Sequence, residues 1–132
     1  MISTRGRYAI RVMIDLAQNY NGAYIPLKDI AQRQDISKKY LEILAKDMVA
    51  GGLLVGLSGK GGGYKLIRKP EEYTIFEILE LMEGSMSSVA CLADEQHKCP
   101  RENNCPTVPM WKEFDALVQD FFSNKKLSDL LH

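Results

Sequence analysis

Apolar residues recur along most of this chain at steps of three and four, the spacing that lines one face of an α-helix. From Ser3, the stretch STRGRYAIRVMIDLAQNY sets Ala9, Val12, Met13, Leu16, Ala17 and Tyr20 on one such face and predicts a first helix. After the turn signal Asn21-Gly22, Pro26 precedes LKDIAQRQ, in which Leu27, Ile30 and Ala31 share a face, so a short second helix is predicted. Asp35-Ile36-Ser37 interrupts that pattern. Ser37 is a suitable N-cap, and Leu41, Leu44, Ala45 and Met48 form the buried stripe of a third helix. Gly51 and Gly52 are expected to end it through the left-handed conformation that glycine adopts without penalty.

The rhythm then changes. LLVGLSGKGGGYKLI predicts two short strands around a glycine-rich hairpin. Two helices joined by a short turn, the second exposing Lys38, Lys39, Glu42 and Lys46, and then a hairpin, form the layout of a winged helix-turn-helix that reads DNA. The glycine cluster is not a nucleotide site. A P-loop needs a glycine where Leu54 stands and a Ser or Thr where Gly61 stands, and the third glycine of a dinucleotide fingerprint falls on Tyr64. Glycines beside Lys60 and Lys65 suit a hairpin tip that approaches a sugar-phosphate strand.

Farther along, Thr74 is a plausible cap for TIFEILELMEG, with Ile75, Ile78, Leu79 and Met82 as its stripe and Gly84 as its stop. A long last helix carries Val108, Trp111, Phe114, Leu117, Val118, Phe121 and Phe122, with Lys112, Glu113, Gln119 and Asp120 on its other side. That stripe is wide and aromatic, and little local core remains to receive it. A second copy of the chain is the expected cover, against the simpler alternative that the helix folds back on its own domain. Residues 126–131 predict a short closing helix.

A chain of 132 residues supports one ordinary domain without covalent staples. Residues 1–69 are expected to form the winged DNA-binding unit, and residues 70–132 the cysteine loop and dimerisation helix of the same compact chain. The formal net charge of zero conceals an asymmetry: residues 1–69 hold 12 Lys+Arg against 5 Asp+Glu, and residues 70–132 hold the reverse, 5 against 12. A basic first half points to a polyanionic partner. No apolar run approaches membrane-spanning length, no secretion signal opens the chain and the cysteine count is odd, so a soluble cytoplasmic protein is expected.

All three cysteines fall within CLADEQHKCPRENNC, residues 91–105. Cys91, Cys99 and Cys105 lack the C-x-x-C spacing of a redox pair or a zinc ribbon. A metal site without such knuckles, or three bare thiols, remains open. Asp94, Glu95, His97 and Glu102 lie in the same loop as possible further ligands. A thiol enzyme with His97 as base is disfavoured, because no oxyanion donor or substrate pocket accompanies the thiols. A winged helix that binds protein is the other rival, and the lysines of the third helix and the wing weigh against it.

The segments ISTRGRYAIRVMIDLA, ISKKYLEIL, GKGGGYKL and LMEG, followed by three cysteines and a tryptophan-bearing helix, resemble the IscR, NsrR and CymR group of bacterial regulators, the Rrf-type winged helix-turn-helix family. The resemblance covers nearly the whole chain. It implies a mainly α fold with a small β-hairpin and a long C-terminal dimerisation helix. It also implies a homodimeric transcription regulator, not an enzyme, on near-palindromic double-stranded DNA. Members with this cysteine loop bind an iron-sulfur cluster that reports iron, redox or nitric oxide status, whereas CymR-like members lack the cysteines. Cys91, Cys99 and Cys105 are thus the expected ligands of a 2Fe-2S or 4Fe-4S cluster. The family's usual fourth ligands are replaced here by Val108, where IscR-like chains carry histidine, and by Tyr8, where NsrR-like chains carry aspartate. His97 and Glu102 are the candidates instead. The expected DNA-contacting residues are Thr4, Arg5, Arg7 and Tyr8 at the start, Lys28, then Ser37, Lys38, Lys39, Tyr40, Glu42 and Lys46 on the reading helix, with Lys60, Gly61, Gly62, Tyr64 and Lys65 in the wing.

Overall fold

A computed structural model describes residues 1–93 and 105–132 of the chain. In chain order the elements are α1 (Thr4–Gln18), α2 (Leu27–Gln34), α3 (Lys38–Ala50), β1 (Leu54–Leu57), β2 (Gly63–Leu66), a 3-10 turn (Pro70–Glu72), α4 (Ile75–Glu83), α5 (Ala90–Ala93), α6 (Val108–Ser123) and a closing 3-10 turn (Leu127–Leu130). This is the expected winged helix-turn-helix, extended by a long C-terminal helix.

α1 is the central element and packs against α4, α2 and α3. Its inward residues Ala9, Val12, Met13 and Leu16 are at most 2% exposed. Tyr20 lies past the end of α1 and is 62% exposed, which corrects its expected place on the buried face: the helix stops at Gln18 before its register can carry the ring inward. α2 begins after Pro26 and closes at Asp35, whose left-handed backbone (φ 53°, ψ 50°) reverses the chain toward α3. The Ser37 hydroxyl accepts from the Tyr40 backbone N–H at 3.1 Å, so one otherwise orphaned amide of α3 is satisfied. Leu41, Leu44, Ala45 and Met48 all point into the core, as their spacing requires. Of the two glycines that follow, only Gly52 is left-handed (φ 81°), while Gly51 keeps φ −84°. Gly51 is constrained by space instead, since a Cβ there would run into the Leu81 side chain.

β1 and β2 pair antiparallel, with Leu54 opposite Leu66 and Leu57 opposite Gly63. The wing is anchored at its base by a third, one-residue strand: Ile25 and Tyr64 exchange two backbone hydrogen bonds of 2.9 Å each. Gly63 (φ 150°) is what allows this approach, because a Cβ at that position would strike the Ile25 carbonyl.

α4 starts in a capping box. Thr74 Oγ1 accepts from the Glu77 N–H at 3.1 Å, and Glu77 Oε2 accepts from the Thr74 N–H at 3.1 Å. Ile75, Ile78, Leu79 and Met82 are buried. The closing turn is more than the trailing helix expected from its sequence. Leu127 is fully buried, its N–H donates to the Tyr73 carbonyl at 3.0 Å, and Ile75 N–H donates to the Lys125 carbonyl at 2.9 Å. The C-terminal segment therefore stitches itself to the start of α4, and Tyr73, Ile78, Leu79, Met82 and Leu127 share one hydrophobic cluster with α1, α2 and α3.

The apolar stripe of α6 divides. Val108 is buried at 4%, and Val118 and Phe122 rest on the shared core. Met110, Phe114, Leu117 and Phe121 are 52%, 42%, 64% and 55% exposed. One edge of the helix thus folds back on its own chain, chiefly against α4, and the other edge is uncovered in the single chain.

Candidate nucleic-acid interface and thiol segment

The start of α2, the outer face of α3 and the wing enclose a shallow concave surface. It is lined by Pro26, Leu27, Lys28, Lys38 and Glu42 on the helical side and by Leu57, Gly59, Gly62, Gly63 and Tyr64 on the wing side. A second concavity adjoins it farther along α3, lined by Glu42, Lys46 and Val49 with Gly56, Leu57, Ser58 and Tyr64. Glu42 and Tyr64 belong to both, so six of the expected contact residues, Lys28, Lys38, Glu42, Lys46, Gly62 and Tyr64, are gathered on one continuous surface. Lys28, Lys38, Glu42 and Lys46 are exposed, as are Lys39, Lys60 and Gly61. The ammonium groups of these lysines stand in solvent and are available to phosphate oxygens.

The remaining expected residues are held differently. Tyr8 and Tyr40 meet edge to face with centroids 5.9 Å apart, and the Arg11 guanidinium lies 5.0 Å from the Tyr8 ring. This contact ties the first turn of α3 to α1. Arg7 Nη2 donates to Thr4 Oγ1 at 3.0 Å, with both residues exposed at the start of α1. Lys65 Nζ sits 4.6 Å from the centre of the Tyr24 ring, a cation-π contact at the root of the wing. Arg5, expected on a phosphate, is half-buried and makes contacts within the fold: its Nη2 pairs with Asp47 Oδ2 at 2.5 Å, and its Nε donates to the Met82 carbonyl at 3.1 Å.

Sequence reasoning passed over several residues that shape this surface. Asp15 is a carboxylate only 1% exposed, clamped by Arg33 Nε and Nη2 at 3.0 and 2.8 Å and by Gln34 Nε2 at 3.0 Å. Arg11 donates to the side-chain and backbone oxygens of Gln34. These bonds fix the end of α2, and hence the turn into α3, on α1. Asp15 lies one place from Leu16 on the buried stripe, so its position in the helical register was the available signal. Ile43 is 49% exposed on the outer face of α3, in register with Lys39 and Lys46. Leu57, 50% exposed, lines both concavities.

Cys91 lies on α5 and Cys105 just before α6, and both are half-buried. The segment leading to Cys91 is fastened by Met86, which is buried, by Ser88 N–H donating to Asp115 Oδ1 at 2.9 Å, and by Ser87 Oγ donating to the Leu92 carbonyl at 3.1 Å. Cys105 Sγ is 3.2 Å from Thr107 Oγ1. Cys99, His97 and Glu102 lie outside the described residues. Among the described residues no three His, Cys, Asp or Glu side chains gather as a metal site. The donor set nevertheless has suitable chemistry: thiolates are the ligands that hold iron-sulfur clusters, and the two described thiols bracket the segment that carries the third. No described helix is long and apolar enough to cross a membrane.

Residues 2–132 match the family described as Rrf2, iron-dependent transcriptional regulator. The chain is 31% identical over 130 residues to the HTH-type transcriptional regulator IscR of Aliivibrio salmonicida, covering 98% of this chain and 76% of that protein. It is 30% identical over 131 residues to IscR of Pectobacterium atrosepticum, covering 99% and 79% respectively. Among solved structures it is similar to CymR, the global cysteine regulator of B. subtilis, with a TM-score of 0.76, 31% identity and 98% and 95% of the two chains covered. It is also similar to T. potens IscR, with a TM-score of 0.76, 27% identity and 98% and 85% covered. Its chemistry is recognition of DNA and not catalysis, and the chain belongs to the Rrf2 family of transcriptional regulators.

Proposed function

We propose that two copies of this chain pair through the uncovered edge of α6 and place their α3 helices in the major groove of a near-palindromic operator, under control of an iron-sulfur cluster held by Cys91, Cys99 and Cys105. The observation that carries the DNA arm is the pair of adjoining concavities between α3 and the wing, sharing Glu42, Leu57 and Tyr64, that bring Lys28, Lys38 and Lys46 to one side of the chain. Lys38, Lys39 and Lys46 reach phosphates beside the groove, and Lys60 with Gly61 and Gly62 follows the strand at the wing tip. Thr4, Arg7, Tyr8, Ser37, Tyr40 and Lys65 flank or support that surface. Near-twofold operators match the symmetry of such a pair.

Glu42 sets sequence preference. A carboxylate near phosphates is repulsive unless it accepts from a cytosine amino group, so it penalises sites that lack that base. Glu42→Ala should therefore narrow the affinity ratio between matched and mismatched duplexes, measured by fluorescence anisotropy. An unchanged ratio would remove Glu42 from recognition.

The cluster supplies a ligand whose gain or loss reports iron, redox or nitric oxide status in the cytoplasm, with His97 or Glu102 completing the donor set. The chain's own part is to present the thiols from α5 and from the approach to α6, so that loading and α6 placement are linked through differential affinity. Anaerobic reconstitution followed by absorption and Mössbauer spectra, on the wild type and on Cys99→Ser, tests this. Visible absorption that is lost in Cys99→Ser supports the cluster, and stoichiometric zinc without visible absorption would replace it with a structural metal.

A further inference from the structure

Arg5 is the only residue among those expected to touch DNA whose guanidinium bridges two different helices of its own chain. Its Nε donates to the Met82 carbonyl in the last turn of α4 at 3.1 Å, and its Nη2 pairs at 2.5 Å with Asp47 near the C-terminal end of α3. The start of α1 is itself seated firmly on α4. Ser3 N–H and Oγ–H both donate to Glu83 Oε1, at 2.8 and 2.9 Å, and Gly6 permits the close approach because a Cβ there would meet that carboxylate. The Ser37 cap and the Tyr8–Tyr40 contact hold the other end of α3. Farther along, Leu44, Ala45 and Met48 bury the inner face of α3 by non-directional apolar packing, and the Arg5 bridge adds a directed polar tie there. We propose that Arg5 is a positioning residue that references the C-terminal half of the reading helix to α4, fixing the angle at which α3 enters the groove, and that it does not act as a phosphate ligand.

This rests on the reading of α3 as the groove helix, and the two ideas predict different responses. Side chains at Arg5 and Asp47 are 38% and 41% exposed, so the pair contributes little to global stability. Its effect belongs in DNA affinity. A positioning pair makes Asp47→Asn weaken binding even though that change removes a negative charge, and it leaves the salt slope unchanged when Arg5 is replaced, whereas loss of a phosphate ligand lowers that slope.

The test uses full-length protein and a fluorescent duplex selected by the wild type from a random-sequence pool, with affinity followed across salt concentrations. Arg5→Gln and Asp47→Asn are each expected to lower affinity roughly threefold to tenfold, with the double variant no worse than either single. The salt slope and the thermal midpoint should stay at their wild-type values. Arg5→Lys should recover only part of the loss, since an ammonium lacks the planar fork that serves carbonyl and carboxylate together. The proposal is overturned if Asp47→Asn binds as well as or better than wild type, or if Arg5→Gln reduces the salt slope by roughly 1 per chain, the mark of a phosphate contact. It is likewise overturned if both variants lower the thermal midpoint while affinity is unchanged. Lys38→Ala separates the two readings: if it weakens binding and Asp47→Asn does not, the groove assignment stands and the strut alone fails. A wild type that selects no duplex would sink both.

Discussion

Tyr73 shows how one side chain can join distant parts of the fold. Its ring is fully buried, its hydroxyl donates to the Leu53 carbonyl at 2.7 Å, and it accepts from Ile67 and Arg68 N–H at 3.0 and 3.1 Å. One phenol thus satisfies backbone groups at both roots of the wing, where each strand leaves the hairpin. Tyr73→Phe keeps the ring and strands those groups, so a loss of about 1–3 kcal/mol is expected in denaturant unfolding. Glu77 illustrates a second local balance. Burial raises its carboxyl, but the Arg68 guanidinium at 2.5 Å and the Thr74 N–H and hydroxyl outweigh that and hold it below the ordinary value. A carboxyl lowered in the folded state adds stability that is complete above its unfolded value, about 4.3, and drains away as pH falls through the folded value. Glu77→Gln should flatten the stability-pH curve below about pH 4.3 and leave its shape near neutrality unchanged, as read from urea midpoints across that range.

At the scale of elements, what was legible depended on whether the information was local. The stripes of α3 and α4 were fully readable, since Leu41, Leu44, Ala45 and Met48, and Ile75, Ile78, Leu79 and Met82, are buried where three- and four-residue spacing puts them. The Ser37 and Thr74 caps were readable for the same reason. Tyr73 and the bridge from Ile25 to Tyr64 were not, because each depends on a partner 20 to 39 residues away that no periodicity encodes; the register could place Asp15 on the buried face of α1 but not name Arg33, 18 residues on, as its clamp. The candidate surface divides along the same line. Lysines on one helical face could be counted, and the register sets Arg5, four residues before Ala9, apart from exposed Arg7, but nothing local names Asp47 and the Met82 carbonyl as the partners of Arg5. In α6 the periodicity marked an apolar stripe without saying that Val118 and Phe122 would be covered by the chain itself and Leu117 would not. Leu117, at 64% exposure, makes no large contribution to the chain's own core. On the proposed pairing through this edge, Leu117→Glu should leave the circular dichroism spectrum and the single-chain fold intact while shifting sedimentation from dimer to monomer. A dimer that persists unchanged would assign pairing to a different surface.

Across the whole molecule, charge decides what kind of binding to expect. A net charge of zero gives no overall attraction to a polyanion, so affinity must come from the local excess of cations in residues 1–69, concentrated where α2, α3 and the wing expose Lys28, Lys38, Lys39, Lys46 and Lys60. The remaining chain holds 12 acidic residues and offers no comparable excess of cations. Binding through so few cations is electrostatic in origin and correspondingly sensitive to salt. If a pair of chains neutralises about six phosphates, affinity should fall roughly a thousandfold between 50 and 200 mM salt. Removing Lys60 at the wing tip should lower the slope by roughly 1 per chain and weaken all sequences alike, because a phosphate contact carries no base information. Arg11 is an internal control: it is a cation on α1, but its guanidinium is spent on Gln34 and the Tyr8 ring. Arg11→Gln should leave the slope alone. Affinity that is flat across this salt range, or a slope that responds equally to Lys60 and Arg11, would move the cationic surface away from DNA and leave the wing without its assigned role.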